Sequence, residues 1–258
     1  MLQIKNSTAI KFFFIAALCL SCALSFAAQI AGTVTHLSGP LIAKKADGTV
    51  KVLSLQSGIE QGDTLVAEKD TYARIKFADN SEIVLRPNTQ IKIDQFSFEE
   101  DKPNNDGFTM TLIKGGLRAV TGLLGKRNKE RFGLNTPTAS IGIRGTIFIA
   151  EFVPQDANQP GSGASSPPAG NDAQGNGPRA PGLYVQVLDG TVFLKNDAGN
   201  LDVTAGQFGF AISFTKPPIL LPNNPGMQFS LPGNFPVSLN QDNANNESKS
   251  GSLICEVR

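Results

Sequence analysis

The amino-acid sequence predicts an all-β fold, either a single rolled sheet or a short solenoid-like sandwich of short strands. Between Ala31 and Phe214, apolar residues alternate with polar residues in short runs, which is the period of a strand that buries one face. Glycine, asparagine, aspartate and proline separate these runs, as turns require. Apolar residues at helical spacing are almost absent, which favours strands throughout.

The clearest strand is residues 73–77, where alanine, isoleucine and phenylalanine alternate with arginine and lysine. Residues 83–86 and 91–94 repeat this pattern. The segment Asp79-Asn80-Ser81, between the first two runs, has side chains that hydrogen-bond their own backbone in turns. It therefore predicts a β-hairpin.

Only residues 117–131 are ambiguous. Their apolar side chains fit one helical stripe: Leu117, Val120, Leu123 and Leu124. Because Gly122 and Gly125 oppose a long helix, we predict one or two turns. The segment ends in a basic cluster, residues 126–131, which we interpret as a solvated loop. Contact with anionic lipid or sugar phosphate is the alternative.

Residues 1–27 are predicted to be a signal peptide. Lys5 and Lys11 precede an apolar run over residues 12–24, and Ser25-Phe26-Ala27 has small residues where signal peptidase cleaves. We expect cleavage after the alanine and export to the periplasm. The alternative is an uncleaved membrane anchor, for which an apolar stretch of about 17 residues is short.

The remaining chain divides by composition into a β domain over residues 28–214 and a tail over residues 215–258. Residues 154–182, rich in proline, glycine and serine, are predicted to be a disordered loop inserted between two strands, because they cannot bury enough apolar surface to offset ordering. The tail is rich in proline and asparagine, so extended or disordered structure is expected there.

Charge and cysteine content exclude several classes of protein. The signal peptide contains two of the 23 basic residues and none of the 22 acidic ones, so the exported chain is almost neutral and a nucleic-acid partner is not expected. Cys255 is the one cysteine outside the signal peptide, which excludes an internal disulfide. We interpret it as an exposed thiol on the tail; an intermolecular bridge is the alternative.

The residue types for common catalytic sites are scarce. His36 is the only histidine, lies in a predicted strand, and tryptophan is absent. We therefore predict no enzyme activity, no cofactor and no metal site built on histidine and cysteine.

Acidic and amide side chains do cluster at Glu99, Glu100, Asp101, Asn104, Asn105 and Asp106. A solvated loop is the favoured interpretation; calcium binding and glycosidase chemistry are the alternatives, without EF-hand spacing or an aromatic platform in support.

Several short sequence motifs lie on the predicted strands or in the turns between them. Read in order, they resemble the FecR domain: residues 58–65, residues 73–81 (Ala-Arg-Ile-Lys-Phe-Ala-Asp-Asn-Ser), residues 135–139 (Asn-Thr-Pro-Thr-Ala), residues 142–148 (Gly-Ile-Arg-Gly-Thr-Ile-Phe), and residues 187–192 leading to Ala205-Gly206-Gln207. The resemblance implies a periplasmic β domain. The family is best known for membrane regulators whose cytoplasmic segment restrains a sigma factor. Because only eleven residues precede the apolar run, we expect no such segment here.

The motif residues are interpreted mainly as scaffold. Glycines are expected to permit positive φ or close backbone approach at Gly58, Gly62, Gly142 and Gly145, and aspartates to bond turns at Asp63 and Asp79. The candidate contact motif is Arg144, Gly145 and Thr146. Arg144 is expected to tie the Gly145 turn to a neighbouring strand, with the alternative that its guanidinium clamps a carboxylate or backbone carbonyls of a partner.

These observations predict a non-catalytic binding or scaffold module of the periplasm that engages a protein or a cell-envelope polymer. Pairing of a partner strand with a free sheet edge is the expected mechanism. The alternative function is a soluble partner in FecR-type cell-surface signalling, which would control a sigma factor through a separate membrane protein.

Overall fold

The computed structural model describes residues 30–155, 179–233 and 235. The chain divides into two compact units, Met1–Met227 and Gln228–Arg258. In the second unit, the Phe235 N–H donates to the Pro232 carbonyl. All the elements below lie in the first unit, and they are almost entirely strands, which confirms the all-β prediction. No helix among the described residues is long and apolar enough to cross a membrane.

The strands follow one another with short connections. In chain order they are β1 (Ile30–Leu37), β2 (Leu41–Lys44), β3 (Val50–Leu53), β4 (Gly58–Glu60), β5 (Thr64–Ala67), β6 (Ala73–Phe77), β7 (Glu82–Leu85), β8 (Gln90–Ser97), β9 (Gly107–Val120), β10 (Phe132–Asn135), β11 (Ser140–Val153), β12 (Gly182–Asn196), β13 (Gly199–Thr204), β14 (Phe208–Ala211) and β15 (Ile219–Leu221). One short helix, α1 (Leu123–Arg127), and two 3₁₀ turns, Pro103–Asn105 and Lys129–Arg131, interrupt them.

Three long strands, β9, β11 and β12, each take part in two different groups of pairings. The first half of β9 pairs with β8 and β10, and its second half pairs with β7 and with β11. Likewise, β11 and β12 pair with each other along their whole length, but their other neighbours change midway. Each long strand therefore passes from one sub-sheet into a second one.

The two sub-sheets share only these long strands. The first sub-sheet has the order β3–β2–β5–β8–β9–β10–β11–β12–β13, and the second has the order β4–β1–β6–β7–β9–β11–β12–β14–β15. Neighbouring strands are antiparallel except β9 and β10, which are parallel. The result is a rolled sheet, as predicted, in which β3, β4, β13 and β15 are the edge strands among the described residues.

The long strands bend at glycines that have positive φ: Gly115 (+85°) in β9, Gly145 (+56°) in β11 and Gly190 (+78°) in β12. The pairing of β11 with β12 is irregular at the same place, between Arg144 and Ile147. A Cβ on Gly190 would lie 2.3 Å from the carbonyl oxygen of Gly145. Only a bend without side chains allows the two backbones to approach this closely.

The hydrophobic core lies between the two sub-sheets. Phe77 of β6, in the second sub-sheet, contacts Phe96 of β8 and Phe108 of β9, in the first, with ring centroids 5.7 and 4.5 Å apart. Phe108 also packs edge-on against Phe132 of β10 at 5.5 Å. These rings join the two layers directly, because each is almost fully buried and large apolar side chains dominate burial energy.

The turn between β6 and β7 also holds the start of α1. Asp79 is 1% exposed; its Oδ1 accepts from the Ser81 N–H at 3.0 Å, and its carbonyl accepts from the Leu123 N–H at 2.8 Å. Its second carboxylate oxygen accepts from the Leu124 N–H, so it helps to satisfy the free donors of a helix start. Gly122 leaves room for this turn, since a Cβ there would lie 2.3 Å from the Asp79 carbonyl oxygen.

Several local predictions are confirmed. The hairpin around Asp79 joins β6 to β7, and α1 has five residues, as the short-helix prediction requires. Asp63 is buried and bonds its own turn, accepting from the Glu60 N–H at 2.9 Å. Gly62 has φ +90°, as expected of a turn glycine.

Other local predictions were wrong. Leu117 and Val120 are strand residues of β9 rather than part of a helical stripe, because strand pairing on both sides overrides the local spacing. Gly58 and Gly142 lie in strands without positive φ, and a Cβ on either would meet only ordinary contacts, at 3.5 and 3.9 Å. Neither glycine is required by the backbone.

The predicted signal peptide, residues 1–27, lies outside the described residues, as do residues 156–178 of the predicted insert. At the two ends of that insert, β11 reaches Val153 and β12 begins at Gly182, and these two residues pair with each other. In the predicted tail, β15 pairs with β14. Cys255 lies outside the described residues.

Replacing Gly190 with alanine should destabilise the fold by about 2–4 kcal/mol, because the new Cβ would meet the Gly145 carbonyl and force β11 and β12 apart. The matched control is Gly206→Ala. Gly206 has a similar φ of +83°, but a Cβ there would have no other atom within 4 Å, so only the conformational penalty of roughly 1–2 kcal/mol applies. Urea unfolding of both variants measures the difference in the free energy of unfolding. Equal decreases in the two variants would show that the bend at Gly190 tolerates a side chain.

Candidate functional site

The predicted contact motif, Arg144-Gly145-Thr146, lies at the corner where β11 crosses between the sub-sheets. The Thr146 N–H donates to Thr121 Oγ1 at 2.8 Å, and the Thr121 N–H donates to the Thr146 carbonyl at 3.1 Å. Thr146 is 2% exposed. These bonds fix the end of β9 against the corner, so Gly145 and Thr146 have a clear structural role.

Arg144 is the exposed member of the motif. Its guanidinium carbon lies 4.7 Å from the centroid of the Phe193 ring on β12, a cation–π distance. This contact joins the Gly145 bend to β12, as the structural interpretation of Arg144 expects. A partner contact through Arg144 stays a prediction.

The free edge of β3 combines exposure with apolar character. Val50 is 63% exposed and Val52 is 69% exposed, and among the described residues β3 pairs with β2 alone. Leu55, which follows the strand, is 56% exposed. An edge with apolar side chains and unpaired backbone is a template for strand addition.

The remaining edges are better protected. Along β13 the outward residues are polar: Asn200, Asp202 and Thr204. The strand β4 has three residues, and Pro218 and Pro222 flank the short strand β15. Short strands, charges and prolines are the features that discourage edge pairing. Hence β3 is the edge best suited to accept another chain.

A second polar feature lies on the outer face of the second sub-sheet, beside the base of the predicted insert. Glu151 of β11 accepts a 2.7 Å bond from Arg86, which follows β7, and it also pairs with Arg179. The Arg179 guanidinium lies 5.3 Å from the Tyr184 ring centroid, and the Tyr184 hydroxyl donates to the Ala180 carbonyl at 2.9 Å. Burial raises the pKa of Tyr184, so its hydroxyl remains a donor.

This group, the Glu151 cluster (Arg86, Glu151, Arg179 and Tyr184), attaches the C-terminal end of the predicted insert to the sheet. Gly116 lies on β9, between Arg86 and Glu151. Because it has no side chain, it leaves the space in which the Arg86 and Glu151 side chains meet: a Cβ there would lie 3.3 Å from the Arg86 Cδ. Sequence reasoning missed the cluster. Arg86 and Glu151 are 65 residues apart in the sequence, and only strand register brings them together.

The acidic segment predicted as a solvated loop lies between β8 and β9. Glu99 pairs with Lys102 at 2.9 Å, and both side chains are exposed. Asp106 is buried and accepts from the Glu99 N–H at 3.0 Å. Within the described part of the chain, no three acidic, histidine or cysteine side chains are grouped so that they could hold a metal ion, so the calcium alternative gains no support. His36 lies in β1, as predicted.

The family model described as "FecR protein" matches residues 63–161. This match confirms the resemblance to the FecR domain that the motifs indicate. It runs from the start of β5 through β11, and therefore includes the corner motif and Glu151.

The chain is also similar to three solved structures. A "Cell surface anchoring domain" is 23% identical, over 25% of this chain and 84% of that chain, with a TM-score of 0.24. Two crystal structures of a "putative anti-sigma factor" from Parabacteroides distasonis ATCC 8503 are each 11% identical, over 61% of this chain, with a TM-score of 0.40. The alignments span 58% of those two chains. A search of curated proteins found no match.

Replacing Glu151 with glutamine should destabilise the protein by about 1–3 kcal/mol, because two arginines then lose their charge partner in a half-buried setting. The control is Glu99→Gln in the exposed pair with Lys102, which should change stability by less than about 0.5 kcal/mol. Thermal and urea unfolding compare the two variants. An effect at Glu151 no larger than that at Glu99 would contradict a structural role for the cluster.

Proposed function

We propose that the chain is an exported, non-catalytic binding module of the FecR type, which engages a protein partner by strand addition at the free edge of β3. The observation that carries this proposal is the pair of exposed valines, Val50 and Val52, on an edge strand with one neighbour. Export rests on the sequence pattern of residues 1–27.

The backbone of β3 is oriented for such an addition. The Lys45 N–H donates to the Thr49 carbonyl at 2.8 Å at the start of the β2–β3 ladder. Bonded and non-bonded pairs alternate along an antiparallel ladder, so Lys51 bonds to β2. The N–H and carbonyl groups of Val50 and Val52 consequently point away from β2, where a partner strand would meet them.

The charges around this edge indicate the kind of segment it would accept. Lys51 is exposed between the two valines, and Lys44, paired with Val50 in register, is exposed on β2. An added strand would place its alternate side chains beside Val50 and Val52. The matching segment is an extended protein segment with β-branched residues beside the two valines and with acidic residues on both faces, one opposite Lys51 and one on the valine face towards Lys44.

A second copy of the chain fits this edge less well. Antiparallel pairing of two β3 strands about their centre would place Lys51 of each copy opposite the other, and like charges directly opposite are destabilising. The charge pattern therefore favours a different protein. The cell-envelope polymer considered from the sequence would offer no N–H or carbonyl ladder of this kind.

The match to the FecR family favours one further function. As part of FecR-type cell-surface signalling, the partner would be a separate membrane regulator or receptor, and the same edge would receive its segment. The identity of the bound protein distinguishes this role from a scaffold role.

A photo-crosslinking amino acid at Val52 of the full chain, expressed in a Gram-negative host, should yield one discrete protein adduct. The same amino acid at Asp202, on the polar edge β13, is the control and should yield none. Val50→Glu, which opposes an acidic partner, should reduce the Val52 adduct about tenfold, corresponding to about 1.4 kcal/mol, whereas Val50→Thr should retain it. Equal adducts at both edges, or an adduct with a polysaccharide, would contradict the proposal.

Fractionation of the same cells tests export. The mature chain should appear in the periplasmic fraction with Ala28 as its first residue by intact mass, since the small residues at 25–27 suit signal peptidase. An intact chain retained in the membrane fraction would instead support the anchor alternative.

A further inference from the structure

The outer face of the second sub-sheet carries more positive than negative charge. The inward residues of β7 and β9 belong to the core, so their alternate residues lie on the opposite face. That face carries several arginines and two glutamates: Arg74, Arg86, Arg118, Arg179, Glu82 and Glu151. Several of its aliphatic side chains are nevertheless buried, including Val84 at 1% and Ile149 at 5%.

Arg118 occupies the middle of this face. In register, Val84 and Ile149 are its direct neighbours on β7 and β11, and Arg118 itself is half-buried. Glu82 and Glu151 are its diagonal neighbours, because they pair with Val120 and Gly116, two positions away along β9. Diagonal neighbours are within reach of a long side chain.

Both of these carboxylates already have arginine partners. Glu82 lies 3.3 Å from Arg74 Nε, with both side chains largely buried, and Glu151 is held by Arg86 and Arg179. Arg118 forms no hydrogen bond or ion pair with any described residue. Burial lowers its pKa, and although Glu82 acts to raise it, the charge of Arg74 lowers it further.

A half-buried guanidinium without a partner is an unfavourable arrangement. Removal from water weakens its hydration, and nearby Arg74 adds repulsion. A guanidinium offers a planar fork of donors that matches a carboxylate, with two parallel hydrogen bonds. One additional anion at this position would compensate the charge that Glu82 and Glu151 leave unpaired.

We propose that Arg118 is the centre of a carboxylate-binding site on the outer face of the second sub-sheet, between Val84 and Ile149. A single carboxylate fits because Arg118 is the one arginine of this face that pairs with neither Glu82 nor Glu151, and because its flanking side chains are apolar. The site lies on a different sub-sheet from β3 and does not depend on the proposed strand addition.

Thermal unfolding of the full chain in sodium acetate and in sodium chloride, at equal sodium concentration and pH 7, tests the site. At a tenfold excess of acetate over its Kd, the Tm should rise by about 3–6 °C relative to chloride. Arg118→Met should abolish this rise, and Arg118→Lys should reduce it, because a lysine lacks the bidentate fork. Lys76→Met removes an exposed cation from the same face and should retain the full rise.

The two variants also separate ligand binding from a structural role. In chloride, Arg118→Met should have a Tm equal to or above that of the wild type, because an uncompensated charge is removed. A clear loss of Tm in chloride, an acetate effect that survives in Arg118→Met, or no acetate effect in the wild type would each overturn the proposal. Stabilisation by sodium phosphate without stabilisation by acetate would assign the site to phosphate and overturn the carboxylate assignment.

Discussion

The close approach of β11 and β12 at Gly145 and Gly190 is the constraint on which the rest of the architecture depends. Both strands bend there with positive φ, and the Gly145 carbonyl lies where a side chain at 190 would be. Because the bend occurs in paired strands, the ladder continues from one sub-sheet into the other without a break in the chain. One continuous sheet can thus enclose its own core.

This construction determines which surfaces are free. Where the long strands pass from one sub-sheet into the other, the sheet has no edge. Edges remain at the ends of each sub-sheet, and β3 and β15 are two of these edge strands among the described residues. Each sub-sheet also presents an outer face. In the second sub-sheet that face buries Tyr184 and Phe210, whose rings lie 4.6 Å apart outside the main core. Apolar and charged groups therefore share it, which makes unpaired charge there more costly.

The sequence allowed the strands, the Asp79 hairpin and the FecR resemblance to be predicted, because period-2 alternation and turn chemistry are local signals. The bends could not be located in the same way: Gly142 and Gly145 look alike in sequence, yet only Gly145 has positive φ. The Glu151 cluster and the position of Arg118 depend on register between strands far apart in the chain. Alternation does place Arg74 on an outward position, but it does not reveal which carboxylate it meets, and Arg118 lies in the segment that was predicted to be helical.

The family match covers one of the two proposed sites and not the other. Residues 63–161 include the bends of β9 and β11 and the turn that supports α1, but not β12 with its bend at Gly190. Both β3 and Arg179 lie outside that range. The proposed partner edge therefore lies outside the matched strands, and the ion pair between Glu151 and Arg179 joins a residue inside the match to one outside it. Arg118 lies within the matched strands and β3 lies outside them, so the proposed carboxylate site and the proposed partner edge belong to different parts of the chain.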